Sequence, residues 1–347
     1  MLTLSICIST FRRADFLGQT LDSIISQLRP GVELVVVDGA SPDHTPQLMA
    51  KYLSSHPQIR YYREADNSGV DGDYDKAVGY ARGKYCWLMT DDDLLRSDAI
   101  EKVLSALESN IDLVVVNAEI RNADLSEILE NRRLNVAEDL EFRVGQEEEF
   151  FSLSAIYLSF IGCVVVKREL WLSRERSKYY GTLFIHMGVI FQNPPIAGVK
   201  VISDPLIIIR YGNAMWTGRS FEIWGFKWPQ LIWSFTHFSE HARQAISAEE
   251  PWRRLPWLLR FRATGAYSIT EYRRHLASRL GRSRWTMAFW AAVLPAPLVN
   301  TLVVIYFGLI GKSGKSGMYD FLRSRHSTAT GRLVARKLGF YKGFISR

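Results

Sequence analysis

The sequence predicts an α/β protein in which a mostly parallel sheet flanked by helices is followed by a helical, basic tail. Three observations carry this. Over residues 1–120, apolar β-branched runs alternate with amphipathic stretches, the pattern of strand–helix–strand units. Acidic residues collect at the ends of two of those runs, after "VELVVV" and after "CWLMT". Charge also divides unevenly: from Pro251 onward 18 Lys and Arg face only Glu271 and Asp320, a net of +16, so the first 250 residues carry −9 of the overall +7. With 47% hydrophobic and 23% charged residues in 347, the chain can bury a large core and is not globally disordered.

The elements follow in order. "LTLSICIS" (2–9) reads as the first strand; it has no basic segment before it, as a signal peptide would. "ADFLGQTLDSIISQL" (14–28) has apolar positions at helical spacing: Phe16, Leu17, Leu21, Ile24, Ile25 and Leu28. "VELVVVD" (32–38) is the unbroken apolar run of a parallel strand buried on both faces. Then come helix ("HTPQLMAKYLSS"), strand ("QIRYYRE"), helix ("GDYDKAVGYAR") and strand ("KYCWLMT"). "SDAIEKVLSALES" opens with Asp98 and Glu101 at capping-box spacing, and "DLVVVNA" closes the parallel series. Beyond it, "SFIGCVVVKREL" reads as strand, turn and helix, and "GVKVISDPLIIIRYG" as two short strands. Cys7, Cys86 and Cys163 sit in apolar runs at no metal-ligand spacing and read as reduced core residues of a cytosolic protein.

Open α/β sheets bind ligands beyond the carboxyl ends of their strands. Two acidic stations fall there: Asp38 after "VELVVV", and Asp91, Asp92 and Asp93 after "CWLMT". Three adjacent carboxylates repel one another, so protons or a cation must offset them. Mg²⁺ meets that need while sharing its remaining positions with substrate phosphates. A solvated loop leading into a helix N-terminus would also hold such acids, and the triplet alone leaves both readings standing.

Taken with their neighbours, these segments narrow the choice. "SICISTFRR" (5–13), "VVVDGAS" (35–41), "NSGVDGDYDKAVGYARGKYCWL" (67–88) and "TDDDLL" (90–95) closely resemble, in order and spacing, the family-2 glycosyltransferases of the GT-A fold. Within that family they look most like abequosyltransferase-type enzymes of bacterial surface polysaccharide synthesis. The resemblance implies a Rossmann-like nucleotide-sugar domain. Thr10 and Arg12 would line the nucleotide pocket, and Asp38 would accept hydrogen bonds from the base. Asp91 would hold the ribose side, and Asp92 or Asp93 would ligate the Mg²⁺ or Mn²⁺ that bridges the diphosphate and acts as a Lewis acid.

Two departures from the family pattern bear on the site. Where members have Asn-x-Gly-x-x-x-Ala-Arg-Asn, this chain keeps Asn67 and Gly69 but continues with Asp71, Asp73, Tyr74 and Asp75. These acids would contact the sugar or orient a loop, or they are the acids favoured in any first helical turn. Many members supply the catalytic base from a Glu-Asp pair, whereas "GTLFIHMGVIFQ" (181–192) has no acid. His186 stands in that place, as a base near neutral pH or as a packed core histidine. In "RYGNAMWTGR" (210–219), Arg210, Asn213, Trp216 and Arg219 would close over the diphosphate or stack on a sugar, or form an ordinary turn.

Residues 285–311 carry no charge and are bracketed by Arg284 and Lys312. At ~1.5 Å per residue the run is long enough to span hydrocarbon, but Pro295 and Pro297 interrupt it. An interfacial or re-entrant helix pair fits better than a straight span. With "PWRRLPWLLRFR" upstream, the tail reads as monotopic attachment to an anionic membrane surface, where each Lys or Arg contributes ~1 kcal/mol.

The expectation is thus a domain over 1–217, with 1–120 for the nucleotide sugar and 121–217 on the acceptor side, and a membrane-attaching tail over 218–347. Its activity would be metal-dependent sugar transfer from a nucleotide-diphosphate sugar to a saccharide, polyprenyl-linked, at the cytoplasmic face of the inner membrane, in O-antigen or related polysaccharide synthesis. An oligomer is left open. A nucleotidyltransferase also places acids beyond a parallel sheet, but "STFRRADFLG" lacks the glycine cluster of its phosphate loop. A nucleic-acid binder would use the basic tail; ten Trp and an uncharged block suit that role poorly, so no nucleic-acid partner is expected.

Overall fold

The computed structural model describes residues 2–109, 111–280, 282–310 and 314–340, without the side chains of 282–286. Lys312, the Arg284 side chain and positions 341–347 of the basic tail lie outside the described residues. The chain forms two compact units. The first comprises Met1–Ile120, Asn131–Arg210 and His237–Ala242, and the second Arg121–Glu130, Tyr211–Thr236 and Arg243–Arg347. The division therefore falls after Arg210, not at 217. Residues 237–242 return to the first unit because Phe238 stacks on Phe151, 4.2 Å between ring centres, and Ser239 hydrogen-bonds Glu148.

In the first unit the elements are β1 (Leu4–Thr10), α1 (Ala14–Ile25), β2 (Val32–Asp38), α2 (Thr45–Ser55), β3 (Ile59–Arg63), α3 (Gly69–Tyr80), β4 (Tyr85–Met89), β5 (Leu94–Leu95), α4 (Ala99–Leu107) and β6 (Leu113–Arg121). After β7 (Ile128–Glu130), which belongs to the second unit, come β8 (Leu140–Arg143), α5 (Glu147–Ser154), β9 (Val164–Lys167), α6 (Arg168–Ser173), α7 (Ile185–Phe191) and β10 (Gly198–Arg210).

The strand order is β3-β2-β1-β4-β9-β6-β10-β5, with β8 on β10. β1 is parallel to β2 and β4, and β2 is parallel to β3. The sheet is mixed beyond that. β9 lies between β4 and β6 and is antiparallel to both. The run "VVV" at 164–166 is wholly buried, which a place between two strands provides and an edge would not. Residues 198–210 form one strand in place of two. Pro205 is accommodated because it falls between the part of β10 paired with β8 and the part paired with β5.

Helix α1 buries Leu17, Leu21 and Ile24, the i, i+4, i+7 stripe its sequence predicts. The capping box at α4 does not form. Asp98 makes no cap hydrogen bond, and its carboxylate meets Lys102 at 2.8 Å. The three cysteines are buried and unbridged.

The second unit is helical. Helix α8 (Ser220–Glu222) continues through a π-turn (Ile223–Lys227) into α9 (Trp228–Ser234), and α10 (Glu240–Ile246) enters from the first unit. Then follow α11 (Leu255–Thr264), α12 (Ile269–Glu271), α13 (Arg282–Val293), α14 (Ala296–Ile310), α15 (Lys315–Arg323) and α16 (Ala329–Lys337). An aromatic cluster of Phe221, Trp252, Tyr267 and Tyr272 and a second core of Val299, Val304, Met318 and Phe321 hold it together. The chain bends by 103° between α13 and α14, at Pro295 and Pro297 as their sequence predicts. No single described helix is long and apolar enough to cross a membrane.

Candidate active site

The parallel register sets the site. Thr10 at the end of β1 pairs with Asp38 at the end of β2, which pairs with Arg63 at the end of β3. The loops after β1 and β2 are stitched together: Gly39 N–H donates to the Thr10 carbonyl at 3.0 Å, and Arg12 N–H to Ser41 Oγ at 3.0 Å. Both loops hold a non-glycine residue in the left-handed region, Arg12 at φ 58° and Ala40 at φ 61°, a conformation that persists where the surroundings impose it. A Cβ at Gly39 would lie 2.5 Å from Asp73 Oδ2, so a larger residue there would displace that carboxylate.

Asp38 is fully buried and accepts from Ser41 N–H at 2.7 Å and Tyr61 O–H at 2.6 Å, with Arg63 Nε at 3.9 Å. It organises its own loop and lies beside a hydroxyl and a guanidinium. Arg12 is exposed. The arginine that reaches the acids is its neighbour Arg13, which sequence reasoning passed over.

Arg13 is buried; its Nε lies 3.5 Å from Asp91 Oδ1, and its Nη2 pairs with Asp92 Oδ2. Arg210 completes the cluster. Its N–H donates to Asp93 Oδ1 at 2.7 Å, its Nε to the Asp92 carbonyl at 3.0 Å, and its Nη2 to Gln19 Oε1. Both guanidinium groups lie over the Phe16 ring, at 4.6 and 5.3 Å. The acid loop is held from behind by Thr20 Oγ1 donating to the Asp93 carbonyl and by Tyr74 O–H donating to the Met89 carbonyl.

The three acids differ in their commitments. Asp93 is buried, with Oδ1 taken by Arg210 N–H and Oδ2 by Thr90 Oγ1. Burial, with Asp92 second, pushes its carboxyl well above the usual range. Burial and then Asp92 raise the Asp91 carboxyl to about 7, against the opposing pull of Arg13. Burial and mutual repulsion hold protons on this cluster even with two guanidinium groups beside it, and a divalent cation there would favour the ionised carboxylates. Asp91 and Asp92 provide the one or two carboxylates that Mg²⁺ takes when phosphates fill other positions. Among the described residues no group of three or more His, Cys, Asp or Glu is placed to hold a metal ion, so a cation beside Asp91 and Asp92 would need the oxygens of a diphosphate as well.

Other expected residues lie differently. Asp71 is buried and accepts from Leu183 N–H at 2.8 Å and Ile185 N–H at 3.0 Å, fastening the start of α7. It orients a loop, one of the roles its position suggested. Asp73 accepts from Ser68 Oγ, and Asp75 is engaged by Trp171, Tyr180 and Arg176. Trp216 falls in the second unit, edge-on to Trp224 at 6.3 Å, while Arg219 there pairs with Glu222. Asn213 also belongs to that unit.

His186 is not a solvent-facing base. Its ring is wholly buried, and Nε2 meets the Leu158 carbonyl at 2.6 Å. Burial lowers its pKa to about 4 despite that bond. Because the folded pKa lies below the unfolded one, the stability it contributes is present above pH 6.5 and lost as pH falls to about 4, on the order of 3 kcal/mol. Asp91, with its raised pKa, acts in the opposite sense over the same window. The checking measurement is therefore a difference: His186→Gln, which keeps a donor to Leu158, should lose less stability than wild type between pH 7 and pH 5 in denaturant titrations.

The sheet has a GT-A-like α/β arrangement, and its acids and paired arginines lie beyond the carboxyl ends of parallel strands, where open α/β sheets bind ligands. Residues 5–168, just under half of the chain, match the family model for glycosyl transferase family 2, which supports a glycosyltransferase. The chain is 27% identical over 297 residues to the abequosyltransferase RfbV of Salmonella typhimurium, covering 79% of this chain and 87% of that one. It is also 27% identical over 118 residues to the succinoglycan biosynthesis protein ExoO of Rhizobium meliloti, covering 34% and 33% respectively. S. aureus TarS 1–349 in complex with UDP shares the fold, with TM-score 0.53 and 15% identity over 92% of this chain and 89% of that one. So does the mannosyltransferase PcManGT from Pyrobaculum calidifontis in complex with GDP-Man and Mn²⁺, with TM-score 0.50 and 18% identity over 84% and 86%.

Proposed function

We propose that this glycosyltransferase moves a sugar from a nucleoside-diphosphate sugar to a polyprenyl-linked saccharide during synthesis of a bacterial surface polysaccharide such as O-antigen, and that it needs Mg²⁺ or Mn²⁺. The observation that carries this is the Asp91–Asp92–Arg13 cluster at the strand ends, inside the segment that matches the family. The likeness to an abequosyltransferase and to a succinoglycan biosynthesis protein supports the polysaccharide assignment. The neighbours solved with UDP and with GDP-Man and Mn²⁺ support the donor class and the cation.

The division of labour follows from the geometry. Thr10, Asp38 and Arg63 end adjacent strands and form the floor for the nucleoside. Asp91 and Asp92 would hold the cation, which stabilises the leaving diphosphate as a Lewis acid. Arg13 and Arg210 supply positive charge on the protein side. Asp93, Thr90 and Gln19 keep the loop and Arg210 in place. A screen of nucleotide sugars for donor hydrolysis and binding, with Mg²⁺ and Mn²⁺, tests the reading; no donor bound or turned over would refute it.

The tail supports membrane attachment at the cytoplasmic face. On α14, Leu298, Leu302, Tyr306 and Leu309 are exposed along one face, while Val299 and Val304 pack into the core. On α13, Trp290 is 61% exposed. This strip sits in the part of the chain with 18 basic and two acidic residues, the composition of an interfacial helix that prefers anionic lipid. The Leu302→Glu, Tyr306→Glu double variant should lose about tenfold or more in flotation with phosphatidylglycerol vesicles and keep donor hydrolysis. Equal flotation of both proteins would count against attachment through this face.

A further inference from the structure

We propose that Asp73 hydrogen-bonds a ribose hydroxyl of the nucleoside-diphosphate donor through Oδ2. The inference rests on the nucleotide-sugar reading of the strand ends and names one contact within it. It begins from an acceptor without a donor. Asp73 is only 1% exposed, and its Oδ1 takes the Ser68 hydroxyl. No donor among the described residues reaches Oδ2. Lys76, one turn further along α3, is spent on Glu64 at 2.7 Å. Burial pushes the Asp73 carboxyl above its usual range against the pull of Ser68 and Lys76, and Glu64 and Asp38 add to the rise.

Position gives that oxygen something to meet. It stands where a side chain of residue 39 would be, 2.5 Å from a Cβ built there, with Asn67 also beside that point. Glycine at 39 thus leaves room in the loop after β2, and the carboxylate occupies it. Asp73 is flanked on one side by Asp38 and Gly39, at the nucleoside floor. On the other side α3 continues to Tyr74, whose O–H donates at 2.9 Å to the carbonyl of Met89, two residues ahead of Asp91. Ribose is the covalent link between base and diphosphate, so it is the part of the donor that crosses this ground.

The neighbouring acids are engaged elsewhere. The two oxygens of Asp38 take Ser41 N–H and Tyr61 O–H, and Asp91 and Asp92 face Arg13. A hydroxyl suits the Asp73 carboxyl in either protonation state, because it both donates and accepts and its proton rotates to suit. A base edge fixes which of the two it does. A donor lacking that hydroxyl would leave Oδ2 covered by ligand and unsatisfied, which is the costly case for a buried polar atom.

The test is calorimetric titration with UDP, CDP, GDP and ADP in the presence of Mn²⁺, then with the 2′-deoxy and 3′-deoxy forms of whichever binds. The proteins are wild type, Asp73→Asn, Asp73→Ala and Ser68→Ala, each first checked for a cooperative melt. Wild type should bind the ribose form about tenfold or more tightly than one of the deoxy forms. Asp73→Ala should bring the two within about threefold by weakening the ribose form alone. Asp73→Asn should keep part of the discrimination, and Ser68→Ala, which leaves Oδ2 untouched, should keep it all. A wild type indifferent to both hydroxyls, or equal losses for ribose and deoxy forms in the Asp73 variants, would overturn the inference while leaving the proposed function intact. A changed order among the bases at an unchanged ribose preference would do the same. Absence of binding of every nucleotide to every protein would overturn both.

Discussion

Asp92→Asn should lower cation-dependent donor turnover by about a thousandfold or more, since a bound divalent ion stabilises several kcal/mol of developing charge and each 1.4 kcal/mol is tenfold. Some stability should go with the charge of the Arg13 pair, although Asp92 is partly exposed and the amide keeps an oxygen that can accept from Arg13. Asp93→Asn serves as the contrast. Both Asp93 oxygens accept hydrogen bonds from protein donors, so an amide must present its NH₂ to Thr90 or Arg210, and the loss should appear in stability as well as rate. Steady-state donor hydrolysis over a Mn²⁺ series, beside melting curves of both variants, separates the two. A rate in Asp92→Asn within about threefold of wild type would remove the carboxylate from the chemistry.

Asp71→Ala should have the largest effect on stability. It strips the acceptor from two N–H groups, those of Leu183 and Ile185. Leaving a buried donor unsatisfied costs about 1–3 kcal/mol, so a loss of about 2–4 kcal/mol is expected, seen as a Tm drop on the order of 10 °C. Leu183 sits at φ 74°, a conformation the Asp71 bond helps to hold, so the segment should loosen as a unit. Asp71→Asn keeps one acceptor oxygen and should lose about half as much. Calorimetry of the two variants checks the ordering. A wild-type Tm combined with lost activity would instead give Asp71 to the substrate.

Much of the site was legible because open α/β sheets place ligands at the carboxyl ends of their strands. Once "VELVVVD" and "KYCWLMT" read as strands, Asp38 and Asp91–Asp93 had to fall at one edge, and they do. What could not be read was pairing across distance. Arg12 and Arg13 are adjacent and alike in sequence; the left-handed turn at Arg12 decides that residue 13 meets the acids.

Burial was the second hidden quantity. His186 has polar neighbours in neither direction, and its wholly buried place on α7 follows from packing that local pattern does not encode. The sheet's antiparallel half was illegible for a related reason. "CVVVK" reads as a strand, but nothing local says that it inserts between β4 and β6. The bend at Pro295 and Pro297 was legible, because missing N–H groups break a helix in any context.

The most direct measurement is anomalous diffraction from a crystal grown with Mn²⁺ and the nucleoside diphosphate that the donor screen identifies. A manganese peak at the Asp92 carboxylate that also touches diphosphate oxygens is the predicted result. Nucleotide bound with manganese elsewhere, or with no manganese at the acid cluster, would contradict the account.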